Sequence, residues 1–358
     1  MAASLAESIV ERCLLAGFAA AGVAPAAASK WGEAMRAWLA AGSHGAMEYM
    51  SRDLEVRLDP RRVLDGTRAF LVVADLYASR AGTLASNAPE SGTSARGRIA
   101  RYAQGRNYHD VMKRRLHALA DALRIEHPGS EFRTCVDTAP ILERELAVAA
   151  GIGWQAKNTM VIHPRLGSYV LLGVVATTLP LTTPAEQWTA TDHCGTCTRC
   201  IEACPTGAIT PYRVEASRCV SYLTIEHRDV IPVELHGEMG DWIYGCDVCQ
   251  EVCPHNSPRD DGGVPYPAYS PRAAGLELLD VLNWDRAARE QAFRTSPMKR
   301  AGLAVMKRNA LIVAGNVLRD RSDAALLARV KAVAADNSES DVVRRTAREV
   351  LQQLDDRS

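Results

Sequence analysis

The sequence lacks an excess of charge of either sign, a long apolar run and a secretion signal. Its 42 basic residues equal its 42 acidic residues, so net charge indicates no polyanionic partner, although a local patch stays open. The longest strongly apolar stretch, Tyr169 to Leu181, is shorter than the roughly 20 residues that span a bilayer. The N-terminal segment has no basic n-region, and acidic residues interrupt its apolar ones. We therefore expect a cytoplasmic protein without a membrane segment.

The usual signatures of nucleotide binding are also missing. No G-x-x-x-x-G-K-[ST] phosphate-binding loop occurs. Residues Gly151 to Ala156 do match G-x-G-x-x-[GA], but they follow a helical pattern rather than a strand. We therefore interpret Gly151 as the glycine that ends a helix.

Cysteine is abundant and clustered. Eight of the ten cysteines fall between positions 194 and 253, and only Cys13 and Cys135 lie elsewhere. One run reads C-x2-C-x2-C-x3-C-P from Cys194, and a second reads C-x2-C-x3-C-P from Cys246. This is the bacterial ferredoxin pattern, in which the last cysteine of each run binds the other cluster. Zinc, which favours paired C-x2-C units, fits the spacing poorly.

The pattern predicts two [4Fe-4S] clusters with crossed ligands. The second run lacks an early ligand, and Cys219 is the simplest candidate for it. The predicted ligands are Cys194, Cys197, Cys200 and Cys253 for cluster 1, and Cys204, Cys219, Cys246 and Cys249 for cluster 2.

Three regions follow from the periodicity of the chain. Residues 1–185 alternate helical and strand patterns, with helices over 4–20, 31–41, 108–126 and 141–150 and strands over 69–77, 133–137 and 169–177. They predict an α/β domain that contains a loop over 82–97. Residues 186–256 form the ferredoxin-like cluster module, and a Pro/Gly/Asp-rich linker covers 254–271. Residues 272–358 predict a small α-helical, HEAT-like domain with helices near 284–294, 302–319, 323–335 and 340–354.

Several stretches carry a family resemblance. The chain resembles the epoxyqueuosine reductases, which complete queuosine in tRNA. The resemblance runs from about position 5 to 350 and includes both cysteine runs. The matching stretches are Arg101-Tyr-Ala103 with Gly105 and Tyr108-His109, Val136-Asp-Thr138, Gly151-Ile-Gly-Trp154 with Ala156-Lys-Asn158, Gly167-Ser-Tyr169, Cys219 to Glu226, Tyr244 to Cys249, Arg308-Asn309 and Gly315-Asn316. Asn107 stands where aspartate is commoner in the family.

The resemblance implies a cobalamin-dependent reduction of the epoxide of epoxyqueuosine at the wobble position of tRNA, giving queuosine. Electrons would pass from an external low-potential donor through the clusters to cobalt. None of the nine histidines lies in a D-x-H-x-x-G pattern, so we expect base-off cobalamin without a histidine ligand. We also expect a monomer that binds tRNA with a queuosine-type anticodon.

The resemblance also implies the site residues. Asp137 matches the proposed proton donor; from position alone, an aspartate before a helix more often caps it. Proton donation near pH 7 would require a raised pKa for Asp137. The expected cobalamin contacts are Arg57, Asp137, Lys157, Asn158, Val161, Ser168, Leu172, Ser221, Cys246 and Asp247.

Residues 286–331 hold eleven basic and three acidic side chains in a chain of zero net charge. They form either an ordinary solvated face or a surface that follows the phosphates of the anticodon stem-loop. The candidates for tRNA contact are Arg294, Lys299, Arg300, Lys307 and Arg308. Two other functions stay open: a reductive-dehalogenase-like cobalamin enzyme for small molecules, and a non-catalytic two-cluster electron carrier.

Overall fold

The structure of the protein is a computed structural model that describes residues 4–80, 95–184, 187–188, 191–259 and 261–356. The predicted loop 82–97 lies outside the described residues up to position 94, and its end enters a strand. The helices are α1 (Leu5–Leu15), α2 (Gly32–Ala40), α3 (Tyr49–Arg52), α4 (Leu54–Leu58), α5 (Tyr108–Glu126), α6 (Glu143–Ala149), α7 (Arg199–Glu202), α8 (Val220–Ile225), α9 (Val248–Glu251), α10 (Leu278–Asn283), α11 (Arg286–Phe293), α12 (Leu303–Asp320), α13 (Ala324–Ala335) and α14 (Asp341–Asp355). The strands are β1 (Ala20–Pro25), β2 (Ala69–Leu76), β3 (Arg96–Ile99), β4 (Phe132–Cys135), β5 (Trp154–Gln155), β6 (Val161–Ile162), β7 (Val170–Thr177), β8 (Ile209–Thr210), β9 (Arg213–Val214), β10 (Trp242–Tyr244) and β11 (Gly275–Glu277).

The N-terminal region is built on a sheet with the order β1-β2-β7-β4. Every residue of β2 is buried, because one face of the sheet packs on α6 and the other on α1 and α5. This double burial explains why the run is apolar at every position of β2 except Asp75. The predicted mixture of helices and strands is confirmed. All neighbouring strands in this sheet are antiparallel, however, whereas such alternation is most typical of parallel sheets.

Strand β1 is a feature that the sequence pattern missed. The predicted helix over 4–20 ends at Leu15, and Gly17 follows with φ +84°. The strand after it is rich in alanine, which favours helix and hides the strand. Gly22 in this strand is required by packing, because a Cβ there would lie 1.9 Å from the carbonyl oxygen of Ala150.

A second sheet, with the order β10-β3-β11, joins the three predicted regions. Strand β3 comes from the N-terminal region, β10 from the cysteine module and β11 from the start of the C-terminal region. Strand β10 pairs with β3 in parallel and β11 pairs with it antiparallel. The regions therefore share backbone hydrogen bonds, and the predicted boundaries at 185, 256 and 272 stay predictions.

The predicted linker is fixed to the first sheet by a buried ion pair. The guanidinium of Arg115 contacts the carboxylate of Asp75, whose side chain has no exposed surface. Tyr269 donates its hydroxyl proton to Asp75 over 2.8 Å. The Arg115 guanidinium also lies between the rings of Phe18 and Tyr266, at 3.9 and 4.0 Å. Two residues of the linker thus pack against a charged group inside β2.

The C-terminal region is helical, as predicted. Helices α11 to α14 match the four expected segments, and α10 is an additional short helix. The largest contacts are those of α12 with α14 and of α13 with α14, which bury one face of each helix in a common core. A HEAT-like repeat stays a prediction. Among the described helices, none is both long and apolar enough to cross a membrane.

Replacing Arg115 with methionine should destabilise the fold at pH 7. The change leaves the Asp75 carboxylate buried without a cation, which costs about 3–5 kcal/mol of unfolding free energy. Burial already raises the pKa of Asp75, so lowering the pH protonates the carboxyl and should restore part of the loss. Urea unfolding at several pH values measures both effects. Arg114→Met, at the exposed neighbouring position, is the control and should change stability by less than about 0.5 kcal/mol; equal losses would contradict the assignment.

Candidate functional site

The eight clustered thiols lie on short loops and helices that face one another. Helix α7 lies within the first cysteine run and packs against α9, which lies within the second. Cys219 immediately precedes α8. All eight are free thiols. The two runs, which are separated by more than 40 residues in the sequence, are therefore brought together in space.

The thiols fall into two electrostatically coupled groups. Burial, together with the nearby thiols of Cys194 and Cys200, raises the pKa of Cys253 to about 11 against a backbone hydrogen bond at His255 that lowers it. Burial likewise raises the pKa of Cys246, with added contributions from Cys219 and Cys204. These two neighbourhoods match the crossed ligand sets inferred from the spacing, although the ligand assignment stays a prediction.

Backbone and side-chain donors surround the sulfur atoms. The Ala208 amide donates to Cys204 Sγ over 3.3 Å. Burial raises the pKa of Cys194, while a backbone hydrogen bond at Lys157 and the nearby Trp154 indole oppose this rise. Donors of this kind stabilise thiolates, which are the form that binds a cluster. The thiols therefore fit two [4Fe-4S] clusters. Within the described ranges, no three or more His, Cys, Asp or Glu side chains are grouped so as to hold a single metal ion.

Asp137 lies on a strained loop between β4 and α6. Its φ is +51°, in the left-handed region that side chains other than glycine seldom adopt. Its Oδ2 lies 2.7 Å from His109 Nε2, and its side chain is 53% exposed. The ring of His109 stacks on Tyr108 with a centroid separation of 4.0 Å. Tyr108 also hydrogen-bonds Asp137, so two side chains from α5 hold the carboxylate.

The residues around Asp137 lower its pKa, whereas proton donation near pH 7 would require a raised one. Burial alone would raise its pKa, but the hydrogen bonds from His109 and Tyr108 and the charge of Arg300 outweigh it. The net effect is a pKa below the usual value. The sequence could not indicate this effect, because His109 lies 28 positions away and its contact with Asp137 depends on the tertiary fold.

The hydrogen-bond chain continues from His109 to Asn107. Asn107 Nδ2 donates to Asp110 over 2.7 Å, which leaves its Oδ1 to accept from His109 Nδ1 over 2.9 Å. This orientation of Asn107 suits an N–H at His109 Nδ1. Nε2 then faces Asp137 Oδ2, so the two atoms are placed to share a proton.

Two residues at the start of α6 belong to the same site, and our sequence analysis missed both. Glu143 Oε1 accepts the backbone N–H of Asp137 over 2.5 Å. Arg144 Nη1 donates to the carbonyl and hydroxyl oxygens of Thr159 over 2.7 and 3.0 Å. Burial, reinforced by the charge of Asp137, raises the pKa of Glu143 to about 8. The available signal was the charged triplet Glu143-Arg144-Glu145 at the start of a helix whose remaining residues are apolar.

The residues predicted to contact cobalamin differ in their burial and in their hydrogen-bond partners. Arg57 Nη2 donates to the carbonyl of Tyr49 over 3.3 Å, while its buried Nε has no partner among the described residues. Asn158 Nδ2 donates to the carbonyl of Cys249 over 3.2 Å, and Lys157 Nζ donates to the carbonyls of Gly195 and Cys197 over 2.6 and 3.1 Å. The remaining contacts are Val161, which is buried in β6, and the half-buried Leu172, Ser221 and Cys246. The unpaired Arg57 donor and the strained loops fit a polar ligand such as cobalamin.

Two of these predicted contacts need correction. Ser168 has no exposed surface, and its hydroxyl donates to Gln250 over 2.9 Å. Asp247 is 1% exposed, and its carboxylate accepts the Arg101 amide over 2.7 Å and the Gln250 amide over 3.3 Å. The polar groups of Ser168 and Asp247 are therefore hydrogen-bonded inside the protein. These side chains support the site from the protein interior instead of contacting a ligand.

The basic surface is smaller than the sequence suggested. Arg294, Lys299 and Arg300 are exposed. Predicted tRNA contact was wrong for Arg308, which is fully buried and donates to backbone carbonyls that include those of Leu223 and Asp229. It was also wrong for Lys307, which is 5% exposed and paired with Glu339. On a helix, buried cations that bind carbonyls look the same in sequence as surface cations.

Comparisons with known proteins agree with this arrangement. The profile for the 4Fe-4S double cluster binding domain matches residues 193–256, and that for Epoxyqueuosine reductase QueG, DUF1730, matches residues 57–138. The chain is 38% identical over 330 residues to the epoxyqueuosine reductase of Burkholderia pseudomallei, covering 85% of this chain and 79% of that protein. The Escherichia coli epoxyqueuosine reductase is 35% identical over 324 residues, covering 89% and 83%.

Solved structures show the same fold. A crystal structure of epoxyqueuosine reductase with an epoxyqueuosine-modified tRNA-Tyr stem loop superposes with a TM-score of 0.85 at 29% identity, covering 95% of this chain and 88% of that one. The enzyme from Bacillus subtilis, whose catalytic aspartate loop is swung out of the active site, gives 0.84 at 29% identity, with 95% and 88% coverage. By sequence and fold, this chain belongs to the epoxyqueuosine reductase family.

Proposed function

We propose that the protein reduces the epoxide of epoxyqueuosine at the wobble position of tRNA to give queuosine. The observation that carries this proposal is the placement of Asp137. Its partner Tyr108 lies 5.9 Å, between ring centroids, from Tyr102, whose ring lies 6.4 Å from that of Tyr244, two residues before Cys246. Asp137 and the cysteine module therefore lie on either side of the same group of tyrosine side chains. Family membership favours this reaction over a small-molecule dehalogenation or a non-catalytic electron carrier.

A tRNA substrate is supported by the relative that was crystallised with an epoxyqueuosine-modified stem loop. In this chain, Arg300 links the exposed basic residues to the acid. It forms a bidentate pair with Glu226 at 2.9 Å, and its charge acts on Asp137. A phosphate or ribose near Arg300 would thus lie close to the proposed proton donor. The substrate places the proposed reaction in the cytoplasm, and we expect a monomer supplied by an external low-potential electron donor.

The chemistry consumes two electrons and two protons, breaks both epoxide C–O bonds, and yields an alkene and water. Cobalamin, base-off and without a histidine ligand in our proposal, would supply a strongly reducing cobalt centre, and the two [4Fe-4S] clusters would supply its electrons. Arg57, Lys157, Asn158, Val161, Leu172, Ser221 and Cys246 are the residues proposed to line its site.

The protein's own contribution is the first proton. Asp137 has a lowered pKa, so a free carboxylic acid is not its resting form near pH 7. The proton shared with His109 solves this difficulty, because it can move onto the Asp137 carboxylate as negative charge develops on the epoxide oxygen. Asn107 keeps the other nitrogen of His109 protonated, which directs the shared proton toward Asp137.

Replacing Asp137 with asparagine should abolish proton donation while keeping the shape of the side chain. We expect turnover of epoxyqueuosine-modified tRNA to fall by about 10²-fold or more, with cobalamin binding unchanged in absorbance titrations. Asp121→Asn, on the exposed face of α5, is the control and should behave as wild type. Full activity of the Asp137 variant would remove this residue from the proposed role.

Replacing Cys219 with alanine should remove one cluster only. Because the four predicted ligands of cluster 1 are separate from Cys219, anaerobically purified protein should fall from about eight to about four irons per chain. Iron analysis and electron paramagnetic resonance of the reduced protein measure this change. Cys13→Ala, outside the module, should keep the full iron content. Unchanged iron in the Cys219 variant would disprove its assignment as a ligand.

The double change Arg294→Glu and Lys299→Glu should weaken binding of the anticodon stem-loop. Each lost phosphate contact should also reduce the slope of log K against log salt concentration by about 0.7–0.9. Fluorescence anisotropy over a range of salt concentrations measures both quantities. The double change Arg345→Glu and Arg348→Glu, at two exposed positions of α14, alters the net charge by the same amount and is the matched control outside the proposed surface. Equal effects of the two variants would show that the double change acts only through total charge.

A further inference from the structure

Two walls of the site are held in a strained backbone conformation. Asp137 and Thr159 have φ values of +51° and +66°, in the left-handed region. For a β-branched residue such as threonine this conformation is especially unfavourable. Such residues persist only where the surrounding structure holds them, and they concentrate at functional sites. Some contact must therefore maintain each of the two segments.

The first two residues of α6 make those contacts. Glu143 accepts the N–H of Asp137, and Arg144 donates twice to Thr159, at the distances given above. Apart from the hydrogen bonds of the Asp137 carboxylate with α5, the other hydrogen bonds in the Asp137 loop are short-range: Thr138 to Val136 and Ile141 to Ala139, both backbone to backbone. These local bonds shape the loop but do not attach it to another element. Glu143 is thus the backbone anchor of the loop to α6.

We propose that Glu143 and Arg144 are positioning residues that hold the Asp137 loop and the Thr159 turn in place. This inference rests on the proposed function, in which Asp137 donates a proton and residues 157–161 line the cobalamin site. A single helix start then fixes the proton donor relative to the cofactor wall. In one relative the catalytic aspartate loop is swung out of the active site. Because such a loop can leave its site, contacts that hold it in place would affect catalysis.

The charge state of Glu143 suits this role. Burial and the charge of Asp137 favour its neutral form, and Arg144 and Arg57 oppose them without restoring the usual pKa. Tyr108 and Cys135 are the other titratable groups that Glu143 influences, and both have raised pKa values and stay neutral near pH 7. A neutral acid accepts the Asp137 N–H without repelling the carboxylate of the same residue. Glutamine should therefore replace Glu143 well, whereas alanine should not.

The test compares Glu143→Gln with Glu143→Ala in the full-length, cluster-loaded protein. We expect the alanine variant to exchange its backbone amides over 136–141 about tenfold faster, which corresponds to the loss of one buried hydrogen bond. Its kcat should fall about tenfold with little change in KM for tRNA, since the loop spends less time in position. Hydrogen exchange by mass spectrometry and steady-state kinetics provide these readouts.

The glutamine variant should match wild type in both measurements. Glu145→Ala is the matched control, because Glu145 lies on the same helix but bonds Ser29 and the Lys30 amide instead. It should leave exchange over 136–141 unchanged. An alanine variant with wild-type exchange and kcat would overturn the role of Glu143. A glutamine variant as impaired as alanine would overturn it too, because the acceptor alone would then not suffice.

Arg144→Met independently tests whether Arg144 holds the Thr159 turn, and it can be used if Glu143→Ala fails to fold. We expect faster exchange over 156–160 and weaker binding of cob(II)alamin, followed by absorbance. Unchanged exchange and binding would overturn the role of Arg144. If wild-type protein failed to reduce epoxyqueuosine in tRNA, the proposed function would fall, whereas the exchange results would still decide whether α6 holds the two segments.

Discussion

The site depends on the pairing of β3 with β10. Strand β3 leads into the segment that carries Tyr102, Tyr108 and His109, and β10 leads into Cys246. Their backbones are joined by bonds such as that from the Ala100 amide to the Tyr244 carbonyl, over 2.8 Å. One parallel strand pair thus sets the separation between the acid and the cluster module. Electron transfer and proton transfer need fixed distances, and a sheet provides them more rigidly than a loop.

A buried network of polar side chains adds further hydrogen bonds between the two regions that β3 and β10 join. Asp247 and Gln250, on the second cysteine run, bond Arg101 and Ser168, which belong to the N-terminal region. Asn256 adds two bonds to Ser168 at 2.8 Å each. Every bond in such a network strengthens its neighbours in a low-dielectric interior, and a missing partner is costly. Arg101, Ser168 and Asp247 lie in stretches that match the family, and their bonds join the N-terminal region to the cysteine module.

Features that depend on neighbouring residues could be predicted from the sequence, whereas features that depend on contacts between distant residues could not. Cysteine spacing, the apolar run of β2 and the end of α6 at Gly151 are local patterns, and the structure agrees with the last two. Gly151 has φ +70°, and the Ile152 amide closes back on the Ala147 carbonyl over 2.9 Å, as in a Schellman motif. The pKa of Asp137, the shared sheet and the burial of Arg308 each depend on residues tens to hundreds of positions apart. No spacing rule reports those contacts.

The burial of Arg308 has a consequence for how the chain assembles. Its guanidinium is satisfied by carbonyls of Leu223, His227 and Asp229, all in the segment after Cys219, and burial lowers its pKa to about 9. Its neighbour Asn309 bonds the carbonyls of Thr224 and Ile243. Until that segment is ordered, the Arg308 guanidinium would remain in water and α12 could not bury it. Ordering of the segment after Cys219, a predicted cluster ligand, and packing of α12 are therefore coupled, so a change that disorders this segment should also loosen the helical domain.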